Sequence, residues 1–306
     1  MRSAILEVRS GRLTGTKTVL SAHQRVTVGR KPLADLVIAD DQLSGVHFEL
    51  VADGERECCR LTDLASRTGT SLGGERIQVG EARHGAWIRA GSTDFTLNYE
   101  AVTPRPLTFE EGIEASEEDE LGPLAIRWLH QNKEPRRIAA AALAARREET
   151  LRAFEAPDGP RYAVLDAART DRILVLLKES VETCRSLYEG LDGESLAHVA
   201  PYLVELPPGS GLLQRLVREG WKQRWGIYID YPHSFKELRR HLRRLLMVSD
   251  PDTRKSFYFR FYDPVVLDTF IPTCTARQRV ELFGEIKAFL VEGRAGEIIR
   301  HPAEVP

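Results

Sequence analysis

The pattern of apolar residues changes along this 306-residue chain, and that change constrains the fold more than any other feature of the sequence. In residues 1–100, short runs of alternating apolar and polar residues are separated by Gly, Asp and Ser turns. Alternation with a period of two and regularly spaced turns is typical of strands in a β-sandwich or barrel. The first hundred residues are therefore predicted to form an all-β domain.

The segment from residue 158 to 306 shows a different pattern, in which strand-like runs alternate with helical ones. The strand-like runs are RYAVLDA, YLVEL, WGIYID and SFYFRFY, and the helical runs are TDRILVLLKESV, GLLQRLVREGW, SFKELRRHLRRLLMV and ARQRVELFGEIKAFL. Strands that alternate with helices favour an α/β domain with a mainly parallel sheet. The chain is thus predicted to be multidomain.

Two segments separate these domains. Residues 101–120 are rich in Pro and acidic residues, which predicts a flexible acidic linker that proteases cut first. Residues 121–157 are predicted to form a helical lead-in, since strong helix formers follow Pro135. An apolar stripe at helical spacing supports this prediction: Leu121, Leu124, Ala125, Trp128 and Leu129.

Composition excludes several classes of function. The net charge is −2, so bulk electrostatics give no case for nucleic acid. No apolar run approaches the roughly 20 residues that a membrane helix needs, which predicts no membrane insertion, and the first residues show no signal peptide. The four cysteines lack metal-ligand spacing, so we expect a reduced cytoplasmic setting and no cofactor.

Three predicted loops of the first domain carry groups that bind phosphate. A phosphate dianion needs a forked cation, hydroxyl donors and backbone amides on a fixed loop. Arg30 offers the fork, and Ser44 offers a hydroxyl at the next loop. A third loop holds Ser66, Arg67 and Thr68. Taken singly, however, Arg30 could be a plain hairpin end and Ser44 an ordinary turn former.

The motifs VGR (28–30), LSGVH (43–47) and DLASRTGTSLGG (63–74) together resemble those of a forkhead-associated (FHA) domain. The resemblance covers about 95 residues, and it implies a β-sandwich whose end loops bind phosphothreonine peptides. On this analogy Arg30 and Ser44 contact the phosphate. The analogy also implies structural roles for three residues: Gly29, His47 and Gly69.

The sequence departs from the FHA pattern at two positions. Thr68 stands where the family usually has Asn, and Gly45 stands where a polar side chain is frequent. Arg67 is predicted to compensate as a second phosphate fork. The candidate phosphopeptide-binding residues are therefore Arg30, Ser44, Arg67 and Thr68.

The stretch SFYFRFYDP (256–264) is the densest local signal in the second domain. Read as one strand, it places three phenylalanines on one face and Tyr258, Arg260 and Tyr262 on the other, with Asp263 capping the next helix. This face is either a partner-binding surface, or a half-buried one in which Arg260 pairs with a carboxylate beneath a helix. The candidate partner-binding residues are Tyr258, Arg260, Tyr262 and Asp263.

Residues from Arg161 to Glu292 resemble a bacterial domain family of unknown function that occurs beside type VI secretion genes. The resemblance rests on YFRFYDPVVL, GESLAHVAPYLVEL, WGIYI and HLRRLLMV, although Val265 stands where the family commonly has Arg. It implies an adaptor, or chaperone, that binds a toxic effector and loads it onto the VgrG spike. An FHA domain fused ahead of such an adaptor also fits systems of this kind.

Catalysis is not expected. Asp230, His233 and Asp263 could form an acid–base set, but no hydrolase, P-loop or zinc-protease motif is present. The helical run 236–244 carries five basic residues. It could be a solvated face, a docking surface for an acidic partner, or, as a third reading, a nucleic-acid contact.

The sequence therefore predicts a non-enzymatic adaptor whose partners are an effector, the VgrG spike and a phosphothreonine protein. The rival interpretation is a phosphothreonine-dependent signalling scaffold, in which the FHA domain carries the function. Effector binding without phosphate would favour the first prediction, and binding that requires phosphothreonine would favour the second.

Overall fold

The computed structural model describes residues 2–106, 140–157, 159–188, 195–249 and 256–303. Most of the predicted linker and the first part of the helical lead-in, residues 107–139, lie outside the described residues. The chain divides into two compact units. The first holds residues 1–103 and 175–185, and the second holds residues 104–174 and 186–306.

The first unit is a sandwich of two β-sheets. Its strands are β1 (Ala4–Val8), β2 (Lys17–Leu20), β3 (Arg25–Gly29), β4 (Leu36–Val37), β5 (Phe48–Ala52), β6 (Cys58–Asp63), β7 (Thr70–Leu72), β8 (Glu75–Ile77), β9 (Val79–Arg83), β10 (Ala86–Ala90) and β11 (Thr93–Tyr99). One sheet has the order β2-β1-β11-β10-β7-β8, and the other has the order β4-β3-β5-β6-β9. The predicted all-β sandwich is confirmed.

The sandwich core lies between the two sheets, because each strand turns its apolar residues to the facing sheet. Phe48 from one sheet packs edge to face on Phe95 from the other, with ring centroids 5.4 Å apart. Both rings are fully buried. The core therefore fixes the strand ends, and with them the loops between β3 and β5 and between β6 and β7.

Lys17 ties residues 175–185 into the first unit. Its ammonium group donates hydrogen bonds to the backbone carbonyls of Leu177 and Ser180, at 2.7 and 2.6 Å. Leu177 lies in the last turn of a helix, where carbonyl groups lack partners within the helix and attract cations. Nearby, the carboxylate of Glu179 accepts a hydrogen bond from the backbone N–H of Thr103.

The rest of the chain mixes helices and strands. The helices are α1 (140–155), α2 (Asp171–Lys178), α3 (Gly211–Gly220), α4 (Phe235–Leu245), α5 (Pro264–Phe270) and α6 (Ala276–Phe283). The strands are β12 (Tyr162–Asp166), β13 (Cys184–Ser186), β14 (Pro201–Glu205), β15 (Gly226–Asp230), β16 (Met247–Ser249), β17 (Ser256–Tyr258), β18 (Ala288–Glu292) and β19 (Ile298–Pro302). Among these described segments, no helix is both long enough and apolar enough to cross a membrane.

The prediction of a mainly parallel sheet is wrong. The sheet has the order β13-β14-β12-β15-β18-β19, and β12 pairs antiparallel with both β14 and β15. β14 and β15 therefore run in the same direction, with α3 connecting them along the chain. That connection passes over β12, which lies between them and runs the opposite way. The pairings among β14, β12, β15, β18 and β19 are consequently all antiparallel, although the sequence alternates strands and helices as a parallel sheet does.

The last predicted helix, 276–290, is also too long. α6 ends at Phe283, and Gly284 follows with a positive φ of 51°. The apolar run AFLV that comes next forms β18, a strand whose first four residues are buried. A short apolar run reads alike as a buried strand or a buried helix segment, so periodicity alone could not separate them.

Candidate functional site

Gly29, at the end of β3, allows two loops of the sandwich to lie directly against each other. A Cβ atom on Gly29 would stand 2.3 Å from the carbonyl oxygen of Gly45. Only glycine fits this approach. Across the contact, the backbone N–H of Arg30 donates to the carbonyl of Ser44 at 2.9 Å. Arg30 and Ser44, fourteen residues apart in sequence, are thereby brought together.

His47 connects the Ser44 loop to the loop that holds Gly69. Its buried ring accepts a hydrogen bond at Nδ1 from the backbone N–H of Ser44, at 3.0 Å. Because Nδ1 accepts, the proton of the neutral ring lies on Nε2, which donates to the carbonyl of Gly69 at 3.1 Å. Gly69 has φ +80°, in the left-handed region that favours glycine. One side chain thus fixes the spacing of two candidate phosphate loops.

Asp63 holds the third loop, and the sequence analysis did not single it out. Its carboxylate accepts hydrogen bonds from the hydroxyls of Ser66 and Thr70, at 2.6 and 2.7 Å, and from the backbone N–H of Ser66. Burial raises the pKa of Asp63, but these hydrogen bonds outweigh burial and leave the pKa below its usual value. The spacing Asp-x-x-Ser, which suits a side chain that bonds its own loop, was the available signal.

The candidate phosphopeptide-binding side chains converge on the segment 41–44. The guanidinium of Arg30 donates to the carboxylate of Asp41 at 3.1 Å, and the guanidinium of Arg67 donates to the carbonyl of Asp41 at 2.8 Å. The backbone N–H of Arg67 donates to the Ser44 hydroxyl at 2.9 Å. Thr68 donates its hydroxyl proton to the carbonyl of Gln42. Two forked cations and a hydroxyl group on held loops are what a bound phosphate requires.

The stretch 256–264 does not form the single strand that the alternation predicted. β17 ends at Tyr258, and the chain then turns. Tyr258 is 43% exposed, whereas Tyr262 is 2% exposed and Phe261 is fully buried. The predicted separation of a phenylalanine face from a Tyr–Arg–Tyr face is therefore wrong, because the turn moves residues after 258 out of the strand's period.

Arg260 pairs with a buried carboxylate. Its guanidinium donates to Asp166, whose side chain is 1% exposed. Arg169 stands 3.4 Å from the same carboxylate and also bonds Asp263. Asp263 caps α5 by accepting from the backbone N–H of Val265 at 2.9 Å. Of the two readings of Arg260, the structure places it in the paired arrangement, with about half of its side chain in solvent.

Three tyrosine hydroxyl groups join this network. Tyr258 shares a hydrogen bond of 2.7 Å with Tyr188 and one of 3.1 Å with Tyr262. Burial, helped by Tyr188 and Asp166, raises the pKa of Tyr262 to about 12, although the hydrogen bond with Tyr258 acts in the opposite direction. The Tyr262 hydroxyl group is therefore neutral at physiological pH. Of the four candidate partner-binding residues, Tyr258 and Arg260 are exposed, and Asp263 has a mainly structural position.

The residues of the candidate acid–base set each have a different partner. Asp230 accepts from Arg300 at 2.8 Å, and His233 lies 3.7 Å from Glu285. Asp263 is occupied by Arg169 and by the α5 cap. Within the described part of the chain, no group of three acidic, His or Cys residues is placed to hold a metal ion.

Comparison with known proteins bears on both units. Residues 7–101 match the family model described as the inner membrane component of the type III secretion system, cytoplasmic domain, which is an FHA-type domain. Residues 161–281 match the model of DUF4123, a domain of unknown function. The chain joins an FHA-like domain to a DUF4123 domain. The two resemblances read from the sequence motifs are thereby confirmed.

Solved structures similar to the FHA-like domain include two FHA domains and one protein bound to a phosphopeptide. The FHA domain of CT664 from Chlamydia trachomatis is 23% identical over 31% of this chain and 96% of that chain, with a TM-score of 0.30. An Arabidopsis thaliana FHA domain is 21% identical over 35% and 92%, with a TM-score of 0.31. Mycobacterium tuberculosis EmbR, solved with a low-affinity phosphopeptide, is 26% identical over 34% and 26%, with a TM-score of 0.29. A search of curated proteins found no match to the chain.

Proposed function

We propose that this protein is a non-enzymatic cytoplasmic adaptor, or chaperone, that binds a type VI secretion effector and helps to load it onto the VgrG spike. The observation that carries the proposal is the match of residues 161–281 to DUF4123. That family is associated with type VI effector adaptors. A binding role also suits Asp230, His233 and Asp263, since each is held by a separate partner.

The FHA-like domain would supply a second protein contact. FHA domains bind phosphothreonine, and Arg30, Ser44 and Arg67 are our proposed phosphate ligands. Thr68 would contact the peptide backbone where the family usually uses Asn. The partners are therefore the effector, VgrG and a phosphothreonine protein, with no role for nucleic acid or membrane insertion.

A signalling scaffold that depends on phosphothreonine is the second candidate. It is favoured by the convergence of two guanidinium groups and a hydroxyl on one segment, residues 41–44. In that case the FHA-like domain would carry the function, and the DUF4123 domain would not contribute to it.

Co-purification separates the two candidates. The full chain would be co-expressed with the effector candidate and the VgrG protein encoded beside it, and isolated by an affinity tag before and after phosphatase treatment. An adaptor retains the effector after dephosphorylation. Loss of the effector on dephosphorylation would support the scaffold instead, and absence of both partners from untreated samples would overturn the adaptor proposal.

A further inference from the structure

An apolar groove of about 870 Å³ opens on the surface of the second unit. It lies between α4, α6 and the two-stranded sheet of β16 and β17. Four of its lining side chains are large, apolar and exposed: Met247 (54%), Val248 (42%), Phe257 (52%) and Val280 (72%). Contiguous exposed apolar surface of this kind marks interaction sites on folded proteins, and methionine adapts to the shape of a partner.

The floor of the groove is fixed, although its rim is exposed. Phe259 packs on Phe270 with ring centroids 4.8 Å apart, and its backbone N–H donates to the carbonyl of Leu246 at 2.9 Å. On the α6 side, His241 bonds the carbonyl of Leu282, whose side chain is buried. The exposed apolar residues therefore sit on a held surface, which reduces the entropy lost when a partner binds.

A basic stripe runs along α4 to the groove. Lys236, Arg240 and Arg244 follow one another at intervals of four residues, which places them on one helix face, and all three are exposed. No described residue forms an ion pair with any of them, and Arg244 itself lines the groove. The other two arginines of the helix turn away, since Arg239 and Arg243 donate to the carbonyls of residues 186 and 187.

Two charged residues of the groove lining, Glu281 and Arg244, differ in whether an oppositely charged side chain pairs with them. Glu281, the acidic residue of the lining among those described, pairs with Arg277 on the same helix at 3.0 Å. Arg244 has no such partner in the described chain. An occupant that matches both the apolar surface and this excess of positive charge must itself be apolar on one side and acidic beside it.

We propose that the groove binds an acidic amphipathic helix of the effector. A helix fits the space between α4 and α6, laying residues at i, i+3, i+4 and i+7 on the apolar surface while its Asp and Glu residues face the α4 stripe. This assignment rests on the proposed adaptor function and names the chemistry that the adaptor recognises.

A designed peptide tests the chemistry directly. The probe is a fluorescein-labelled 16-residue helix with Leu at the i, i+3, i+4 and i+7 positions and Glu elsewhere, titrated into the full chain and followed by fluorescence anisotropy. Two matched peptides carry Lys for Glu or Ser for Leu. Saturable binding of the first peptide, weakened about tenfold or more in both controls, is expected. Equal binding of the Glu and Lys peptides, or none by the Glu peptide, would overturn the proposal.

Single substitutions locate the site. Val280→Glu and Arg244→Glu should each weaken binding of the Glu peptide about tenfold, and both positions are exposed, so the fold tolerates the change. Val265→Glu is the apolar control, 40% exposed on α5 and outside the lining. Arg294→Glu is the charge control, because Arg294 lies on an exposed turn and pairs with no acidic side chain among the described residues. Full peptide affinity in both groove variants would overturn the site.

The same variants distinguish this inference from the adaptor proposal. An effector that co-purifies with the wild type and with Val265→Glu, but not with Val280→Glu, supports the groove. Undiminished co-purification with Val280→Glu would leave the adaptor function intact and overturn the groove. A wild type that dimerises by light scattering, and becomes monomeric with Val280→Glu, would show a second copy in the groove and equally overturn the assignment.

Discussion

Arg260 and Asp166 form an ion pair in which the arginine is half exposed and the carboxylate is buried. The pair joins the end of β12 to the turn that follows β17, and Arg169 stands 3.4 Å from the same carboxylate oxygen. Arg260 therefore has a structural task whether or not a partner also touches it. Its substitution must be judged first by stability and only then by binding.

Arg260→Ala should lower the free energy of unfolding by about 1–3 kcal/mol, because Asp166 loses a charge-assisted hydrogen bond while it remains buried. Arg169 stays beside the carboxylate and limits the loss. Urea denaturation measures the effect, with Arg294→Ala as the exposed control. Asp166→Asn in the same background should recover part of the stability. An unchanged unfolding midpoint combined with lost effector binding would instead assign Arg260 to the partner surface.

Arg30→Ala should weaken phosphothreonine-peptide binding by about tenfold or more and leave the fold intact, because a charge-assisted fork is removed from an exposed position. Arg30→Lys keeps the charge and loses the forked geometry, so the affinity of this variant for the phosphopeptide should lie between those of the wild type and Arg30→Ala. Calorimetry with phosphorylated and unphosphorylated versions of one peptide gives the comparison. Arg60→Ala, an exposed arginine on β6, is the control. Identical affinity for both peptide forms would remove phosphate recognition from the FHA-like domain.

Asp41→Asn should strengthen the same phosphopeptide binding by a few-fold. The carboxylate of Asp41 is fully exposed and pairs with Arg30, so it competes with an incoming phosphate for the guanidinium. Asparagine keeps the backbone carbonyl that Arg67 contacts. The gain should shrink in high salt, since exposed charges are screened. A loss of affinity in Asp41→Asn would mean that the carboxylate positions Arg30 for the ligand.

Gly29→Ala should destabilise the first unit by about 2 kcal/mol or more, because the new methyl group meets the Gly45 carbonyl at 2.3 Å. Gly45→Ala is the matched control on the opposite side of the same contact. Its methyl group would meet the flexible side chain of Lys31 at 3.2 Å, so little stability should be lost. Thermal unfolding followed by circular dichroism compares the two variants, and equal melting temperatures would contradict the close approach.

Local features of the fold were predicted correctly from the sequence where a residue type or pattern is typical of a single structure. The alternating runs of the first hundred residues form strands, and Asp263 caps the helix that follows it, as the motifs indicated. Strand direction in the second unit could not be predicted from the sequence. The alternation of strands and helices is the same whether β14 and β15 are neighbours or, as here, β12 lies between them. The turn after Tyr258 was missed because aromatic residues fit a pleated strand and a buried turn equally well.

The candidate sites also contain some residues that the sequence could identify and others that required the structure. Arg30, Ser44 and Arg67 could be chosen from sequence, since a bound phosphate needs few residue types and the three loops occur in order. Asp41 could not be chosen, because the role of an acidic residue near a phosphate site is recognised only when its distance from Arg30 is known. The groove was equally hidden, since Met247 and Val280 belong to separate elements and meet only in the folded chain.

The hydrogen bonds from Lys17 to Leu177 and Ser180 have a consequence for biosynthesis. During translation the strands of the sandwich leave the ribosome long before residues 175–185, and at about 5–20 residues per second the interval lasts several seconds. Throughout that time the Lys17 ammonium has only water as its acceptor. The first unit can pair its strands early, but it reaches its final form only after the first part of the DUF4123 domain has been synthesised.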